Sequence, residues 1–287
     1  MKKPDLKNCG HSNRAAPTIV RYAVLAAAFV LSGYPLLWML LSAVRPDAEI
    51  LQHPFALPGS LYWQNFATVM RSGQFGRAYG NSLLVCTVSV TVAVAFAAIA
   101  GFAFAKLNFA GRSVFFLLFL TGMMIPIHIT LIPLNRLMGS EFLGIKNTYL
   151  ALAGPYIAFA LPISILILRG AFLVVPDELI ESARLDGCST LGVFWHICLP
   201  LVRPALATVV IFNFLTMWNE FVFALTFINS SSMRTLPLAL WQFKGERGMF
   251  IGQTCAALCI AVLPVLLVYF FAQKQIIRGL TAGALKQ

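Results

Sequence analysis

The chain has 287 residues, 59% of them hydrophobic and 11% charged, and a net charge of +11. A soluble domain carries roughly a quarter charged residues, so this composition excludes an ordinary soluble enzyme or binding module and points to a polytopic membrane protein. The basic balance does not mark a nucleic-acid binder, because no basic stripe with interleaved aromatics stands outside the apolar blocks.

Crossing a hydrocarbon core of ~30 Å takes about 20 helical residues. Six blocks meet that length, near 19–43, 82–105, 113–135, 148–168, 205–227 and 254–273. They lack the period-two alternation of a membrane β-barrel. The predicted fold class is therefore an all-α membrane protein with six transmembrane helices. One membrane domain over 19–277 is expected, between an N-terminal segment 1–18 and a tail 278–287. The first block is longer than the apolar core of a cleavable signal peptide and reads as a retained anchor.

Segment 44–80 is rich in Pro, Gly and aromatics, and predicts short helices at the membrane surface with Tyr62 and Trp63 at headgroup level. The third block contains Pro126 and Pro133, each of which removes a backbone donor and bends a helix. Breaks of this kind are tolerated in a membrane where neighbours or a water-filled path satisfy the freed carbonyls. Both prolines are therefore candidate pathway or gating residues, with a packing kink as the alternative.

The polar stretch 171–203 follows the fourth block. Pro176, Asp177 and Glu178 predict a helix start, since proline fits the first turn and acids there complement the helix dipole. The helix is expected to run to about Leu185 and stop at Gly187 in the left-handed conformation. Ser189 or Thr190 caps a second short helix, which Pro200 closes. Two helices meeting at such a bend form a rigid knob, with Glu181 and Arg184 flanking the small Ala183, suited to a groove on another protein. An ordinary solvated loop is the alternative. The fifth block ends in Trp218-Asn219-Glu220-Phe221. These residues could stack on a ring and hydrogen-bond its hydroxyls, or could be an interfacial aromatic anchor with a polar helix end; the anchoring or gating reading is preferred. Loop 228–253 is polar and offers Trp241 and Phe243 as exposed aromatic area.

With both termini inside, the inner segments carry the larger share of Lys and Arg, among them Lys2, Lys3, Lys7, Lys106, Arg112 and Arg184. That follows the positive-inside rule and puts 171–203 in the cytoplasm. No GxxxxGK[ST] pattern occurs, so the chain does not itself cradle a nucleotide. Cys9, Cys86, Cys188, Cys198, Cys255 and Cys259 include no CxxC pair, and His11, His53, His128 and His196 have no metal spacing. No catalytic residue, metal or cofactor is expected in this chain, and an integral membrane enzyme lacks any plausible cluster of nucleophile and base. The span interiors are nearly free of acids apart from Glu220. Ion-coupled carriers usually hold such groups, so the choice lies between a passive pore and a pump driven by a partner.

The order Glu181-Ser182-Ala183, Asp186-Gly187, Phe194, Ile197, Leu199-Pro200, Pro204 resembles the cytoplasmic "EAA" loop of bacterial ABC importer permeases. Trp218–Phe221, the run Arg234-Thr235-Leu236-Pro237-Leu238 and the C-terminal Gly279–Lys286 stretch resemble the smaller six-span permease of the carbohydrate, maltose-type group. The likeness covers nearly the whole chain. It implies that Glu181, Ser182, Ala183, Asp186 and Gly187 seat in a cleft of a separate ATPase, while Ile197, Leu199 and Pro200 brace the second helix against the bundle. The family usually has alanine where this chain has Ser182 and Cys188, both still small. Arg234, Leu236, Pro237 and Trp241 would contact an extracytoplasmic sugar-binding protein. The implied partners are a second permease (a heterodimer), an ABC ATPase dimer holding ATP and Mg, the binding protein and membrane lipid. The implied location is the bacterial cytoplasmic membrane, multi-pass, with both termini cytoplasmic. The expected function is import of a sugar or oligosaccharide. The alternatives are a stand-alone channel or secondary carrier, and an ABC permease for another polar solute such as a polyol or glycerol phosphate.

Overall fold

A computed structural model describes the backbone of residues 15–242 and 250–284 and the side chains of residues 20–241 and 250–271. Lys2, Lys3, Lys7, Phe243 and the side chains of the Gly279–Lys286 stretch lie outside the described residues. Among the described residues every regular element is a helix. In chain order these are α1 (Ala15–Ala43), α2 (Asp47–Gln52), α3 (Gln64–Arg71), α4 (Gln74–Lys106), α5 (Arg112–Thr121), α6 (Ile127–Leu137) and α7 (Tyr149–Leu173). There follow α8 (Asp177–Leu185), α9 (Thr190–Gly192), α10 (Leu199–Leu201), α11 (Arg203–Trp218), α12 (Val222–Phe227), α13 (Leu236–Gln242) and α14 (Ile251–Ala284).

Four stretches are long and apolar enough to cross a membrane unaided: Val20–Ala43, Gln74–Lys106, Tyr149–Leu173 and Ile251–Phe271. Two bent pairs raise the number to six. The expected block 113–135 is one of these pairs, bent rather than one straight helix. It turns by 99° between Arg112–Met124 and Ile127–Leu137. The turn falls at Pro126, whose φ of −65° and ψ of 133° are extended, with the preceding Ile125 also extended as a pre-proline residue must be. Pro133 sits inside α6 without ending it. The block expected at 205–227 ends at Trp218 and restarts at Val222. The last helix runs through residue 277 to Ala284, so the backbone does not break where the tail was expected to begin.

The described chain forms two compact units, one of residues up to Thr68 with Phe250–Cys259, the other of Val69 onward without that insert. In the first, the expected short helices are present as α2 and α3, with Tyr62 and Trp63 on the surface. Arg45 is 1% exposed, and its guanidinium donates to Glu49 Oε1 at 2.9 Å and to the His53 carbonyl at 2.8 Å. Gly252 opens α14 against this turn: its N–H donates to Asp47 Oδ1, and a Cβ there would stand 2.7 Å from the Arg45 carbonyl.

The second unit is organised on the α4–α7 pair. Small residues of α4 (Ala93, Ala97, Gly101) are buried and let the helices approach closely. A Cβ on Gly101 would lie 3.1 Å from the backbone nitrogen of Arg169 and 3.1 Å from Leu168 Cβ. Towards the same end of α4, Phe102, Phe172 and Phe194 form an aromatic triangle with centroids 5.2–6.2 Å apart. The other end is held by polar side chains. Asn81 Nδ2 donates to the carbonyls of Ser232 and Arg234, both at 2.9 Å, and its Oδ1 accepts from the Tyr149 hydroxyl. Asn147 adopts φ +59°, and its Oδ1 accepts from the amides of Asn229 and Ser230 at 2.6 and 2.9 Å.

Gly101→Val is expected to push α7 away from α4 at a cost of about 1–3 kcal/mol, read as a lowered melting temperature of the detergent-solubilised protein. Asn147→Ala removes both bonds at a position where alanine is also strained. It is expected to cost about 1–3 kcal/mol and to accelerate amide exchange at Asn229 and Ser230 far more than in the α4–α7 core.

Candidate functional site

The polar loop after α7 folds as two short helices around a glycine. α8 begins after Pro176, with Asp177 and Glu178 in its first turn and Arg184 in its last. Gly187 has φ +85°. Its N–H donates to the Arg184 carbonyl at 3.0 Å, and the Cys188 N–H donates to the Ala183 carbonyl at 2.9 Å. That paired closure is a Schellman motif, which needs a left-handed residue and so favours glycine. Ser189 then caps α9, its Oγ accepting from the Gly192 N–H at 3.2 Å.

The second helix differs from expectation in its ending. It widens into a π-turn over Val193–Cys198 and continues through α10 to Leu201. Pro200 does not close it. The Leu199 N–H donates to the Phe194 carbonyl, five residues back. This register shift places Pro200 in the first turn of α10, where a missing N–H does no harm. The break falls instead at Val202, where the direction changes by 78° into α11.

Burial divides the expected docking residues. Glu181, Ser182, Asp186 and Gly187 are exposed. Ala183 is 9% exposed and faces the protein's own core with Ile180, three residues earlier on the same helix face. Its small side chain lets α8 lie close to Phe172 and Phe194 rather than presenting a dimple to a partner. Ile197 and Leu199 are half-buried and pack on the same cluster, and Pro200 is half-buried beside them. Sequence reading missed an apolar rim around this acidic knob: Leu185 is 89% exposed, Leu191 70% and Trp195 57%. The signal available was hydrophobic residues inside a polar loop, but the same letters serve equally well as core.

Sequence reading also counted Lys106 only as an inner charge. Its side chain is 6% exposed, and Nζ donates to the Val175 carbonyl and to Asp177 Oδ1, both at 2.6 Å. Nearby, Arg169 donates to the Phe104 carbonyl and stands 4.2 Å over the Phe116 ring.

The fifth-span residues are brought together, but not as an open sugar platform. Trp218 is 4% exposed, stacks on Phe214 at 5.6 Å, meets Tyr79 edge-on, and donates Nε1 to the Ala261 carbonyl at 3.1 Å. Asn219 is exposed and bonds back to the Leu215 carbonyl. Glu220 serves the restart of the helix: Oε1 accepts from the Phe223 N–H at 2.7 Å, and Oε2 accepts from the Ala224 N–H and the Tyr156 hydroxyl. Pro126 stands at a helix break some distance along the chain from this cluster, and Pro133 lies within α6. In the 228–242 segment, Leu236 is 1% exposed, with its N–H donating to Ser82 Oγ. Arg234 and Pro237 are half-buried, and Trp241 is 55% exposed against Phe221. Among the described residues no group of three or more His, Cys, Asp or Glu is placed to hold a metal ion.

Residues 93–281 match the family described as binding-protein-dependent transport system inner membrane component. A putative ABC transporter permease of Caldicellulosiruptor sp. is 39% identical over 92% of this chain and 96% of its own length. The arabinooligosaccharides transport system permease protein of Halalkalibacterium halodurans is 33% identical over 95% of this chain and 99% of its own. The fold matches that in the crystal structure of a bacterial ABC transporter involved in import of the acidic polysaccharide alginate. That match has a TM-score of 0.80 at 21% identity, over 95% of this chain and 99% of that one. The chain is thus a multi-pass permease subunit and belongs to the family of binding-protein-dependent transport system inner membrane components.

Proposed function

We propose that this chain is one half of a heterodimeric permease for a sugar or oligosaccharide, driven by a separate ABC ATPase dimer that docks on the α8–α10 loop. The observation that carries the reading is the division of that loop. Ile180 and Ala183 are anchored in the core, while Glu181, Ser182, Asp186 and Gly187 stand out on a turn closed by a left-handed glycine. A rigid knob with a buried root can transmit force, whereas a solvated loop would yield. On this reading ATP and Mg are held by the ATPase, and the loop and both termini are cytoplasmic, in keeping with the excess of Lys and Arg on that side. The saccharide class is supported by relatives such as the arabino-oligosaccharide permease, which matches nearly end to end.

The breaks at Pro126 and at Asn219–Phe221 are assigned to the pathway or its gate, since irregular backbone within a membrane belongs where protein or a water-filled path satisfies it. In that role Glu220 and Trp218 hold the helix break in place rather than grip the solute. The 228–242 segment is assigned to the binding protein. Trp241 offers the exposed contact, and Arg234, Leu236 and Pro237 hold the segment's shape from within.

The test is a mild-detergent pull-down from native membranes, with partners identified by mass spectrometry and ATPase activity assayed. Recovery of an ATPase and a second permease supports the reading, and recovery of the chain alone even after gentle cross-linking moves it to a channel or carrier. Gly187→Val forces a β-branched residue into a left-handed position, at a cost of about 1–2 kcal/mol or more, and is expected to abolish ATPase recovery without preventing membrane insertion. Gly187→Asn tolerates that backbone and is expected to retain most of it. On this reading the exposed Glu181 carboxylate pairs with a basic group of the ATPase; Glu181→Ala removes that charge-assisted bond, worth about 1.5–3 kcal/mol, and is expected to weaken recovery by roughly tenfold or more.

A further inference from the structure

We propose that Lys106 is the positioning residue that fixes the docking helix α8 to the end of α4, so that movement of α8 is carried along α4 to the 232–236 segment at its far end. This inference rests on the permease reading above.

Lysine at a helix end normally extends its amine into water, but the Lys106 side chain is 6% exposed and turns towards the loop. A buried ammonium is costly unless paired and hydrogen-bonded. Both of its partners belong to the start of the docking loop: the Val175 carbonyl just before α8, and Asp177, the first residue of α8. The Asp177 carboxylate is 75% exposed and complements the helix N-terminus. Among the described residues there are two ion pairs. One, Arg45–Glu49, is local; the other, Lys106–Asp177, joins positions 71 apart. Two other basic groups at this end are engaged elsewhere. Arg112 donates to the Ala105 and Leu107 carbonyls, and Arg169 to the Phe104 carbonyl and the Phe116 ring.

The remaining attachment of α8 is apolar, through Ile180 and Ala183. Apolar contact is non-directional: it roots α8 in the core but does not by itself set the orientation of its first turn. The Lys106 bonds have a fixed direction and lock the first turn of α8 to α4. At the other end of that helix, Asn81 and Ser82 hold Ser232, Arg234 and Leu236 through their backbone groups. From residue 81 to residue 106 a helix extends about 38 Å. One rigid element therefore carries a directional contact to the docking loop and another to the opposite segment.

The experiment is amide hydrogen exchange with mass spectrometry on the complex recovered from native membranes, with and without MgATP plus vanadate. In the wild type, trapping is expected to change exchange both at 176–187 and at 232–236. In Lys106→Met the change at 176–187 is expected to remain and the change at 232–236 to be lost, while Lys106→Arg, which keeps charge and donors, restores it. Asp177→Asn takes away the counter-charge from the exposed partner while leaving the Lys106 amine two acceptors, the Val175 carbonyl and the amide oxygen, so it decides the matter if Lys106→Met fails to insert: the change at 232–236 is expected to be reduced. Two results in the variants overturn the proposal. One is an undiminished nucleotide-dependent change at 232–236 in Lys106→Met and Asp177→Asn. The other is exchange at 232–236 already raised to its trapped level without nucleotide, which would mark a structural role only. A wild-type complex containing an ATPase but showing no change at 232–236 overturns it as well. Absence of any ATPase overturns the permease reading first, and this inference with it.

Discussion

Backbone amides inside an apolar phase have no water to turn to, and several breaks among the described residues answer that shortage. At several breaks a side chain stands in for the missing partner. Glu220 takes up the first free N–H groups of α12, and Asn147 takes two from the 229–230 backbone. Ser82 receives the amide that opens α13. Within the helices Thr91, Thr208 and Thr216 return their hydroxyls to the carbonyl four residues back, so these hydroxyls among apolar neighbours are satisfied locally. The carboxylate of Glu220 thus reads as a structural device, although its type and place in a membrane span first suggest an ion site.

The same economy explains how a polar loop can be rigid. The α8–α10 segment has few residues with which to build a core of its own, so it borrows one. Ile180, Ala183, Phe194 and Cys198 are buried with Phe102 and Phe172 from α4 and α7. The outward side is then free to be acidic and partly apolar without being soft. The π-turn belongs to this arrangement, because it lets one continuous helix keep Phe194 and Cys198 inside while accommodating Pro200.

Much of this was legible in the sequence. The six apolar blocks match four spanning helices and two bent pairs, and Pro176, Gly187 and Ser189 marked the start, the turn and the second cap of the polar loop, because each acts through local backbone chemistry. The angle at Pro126 was not legible, since proline dictates a break but its neighbours set the direction. Pro133, Pro155 and Pro162 sit inside helices that continue past them. Asn219–Phe221 looked like the tail of a span because its polar letters suit an interface as well as a break. The inward turn of Ala183 and the burial of Trp218 and Leu236 depend on contacts with distant residues, as does the pairing of Lys106, and no local pattern reports those.

The contacts that hold α4 at both ends have a consequence for how the protein is made. Lys106 and Asp177 are 71 residues apart, and Asn81 and Arg234 are 153 apart. At a synthesis rate of about 5–20 residues per second, the carboxylate that pairs with Lys106 emerges about 4–14 s after the amine, and the segment held by Asn81 later still. During that interval α4 is already long enough to occupy the membrane, with its polar ends hydrated on either side. Its sequence is therefore fitted to two successive environments: a lone helix whose Lys and Asn face water, and then a packed strut in which the same groups face protein.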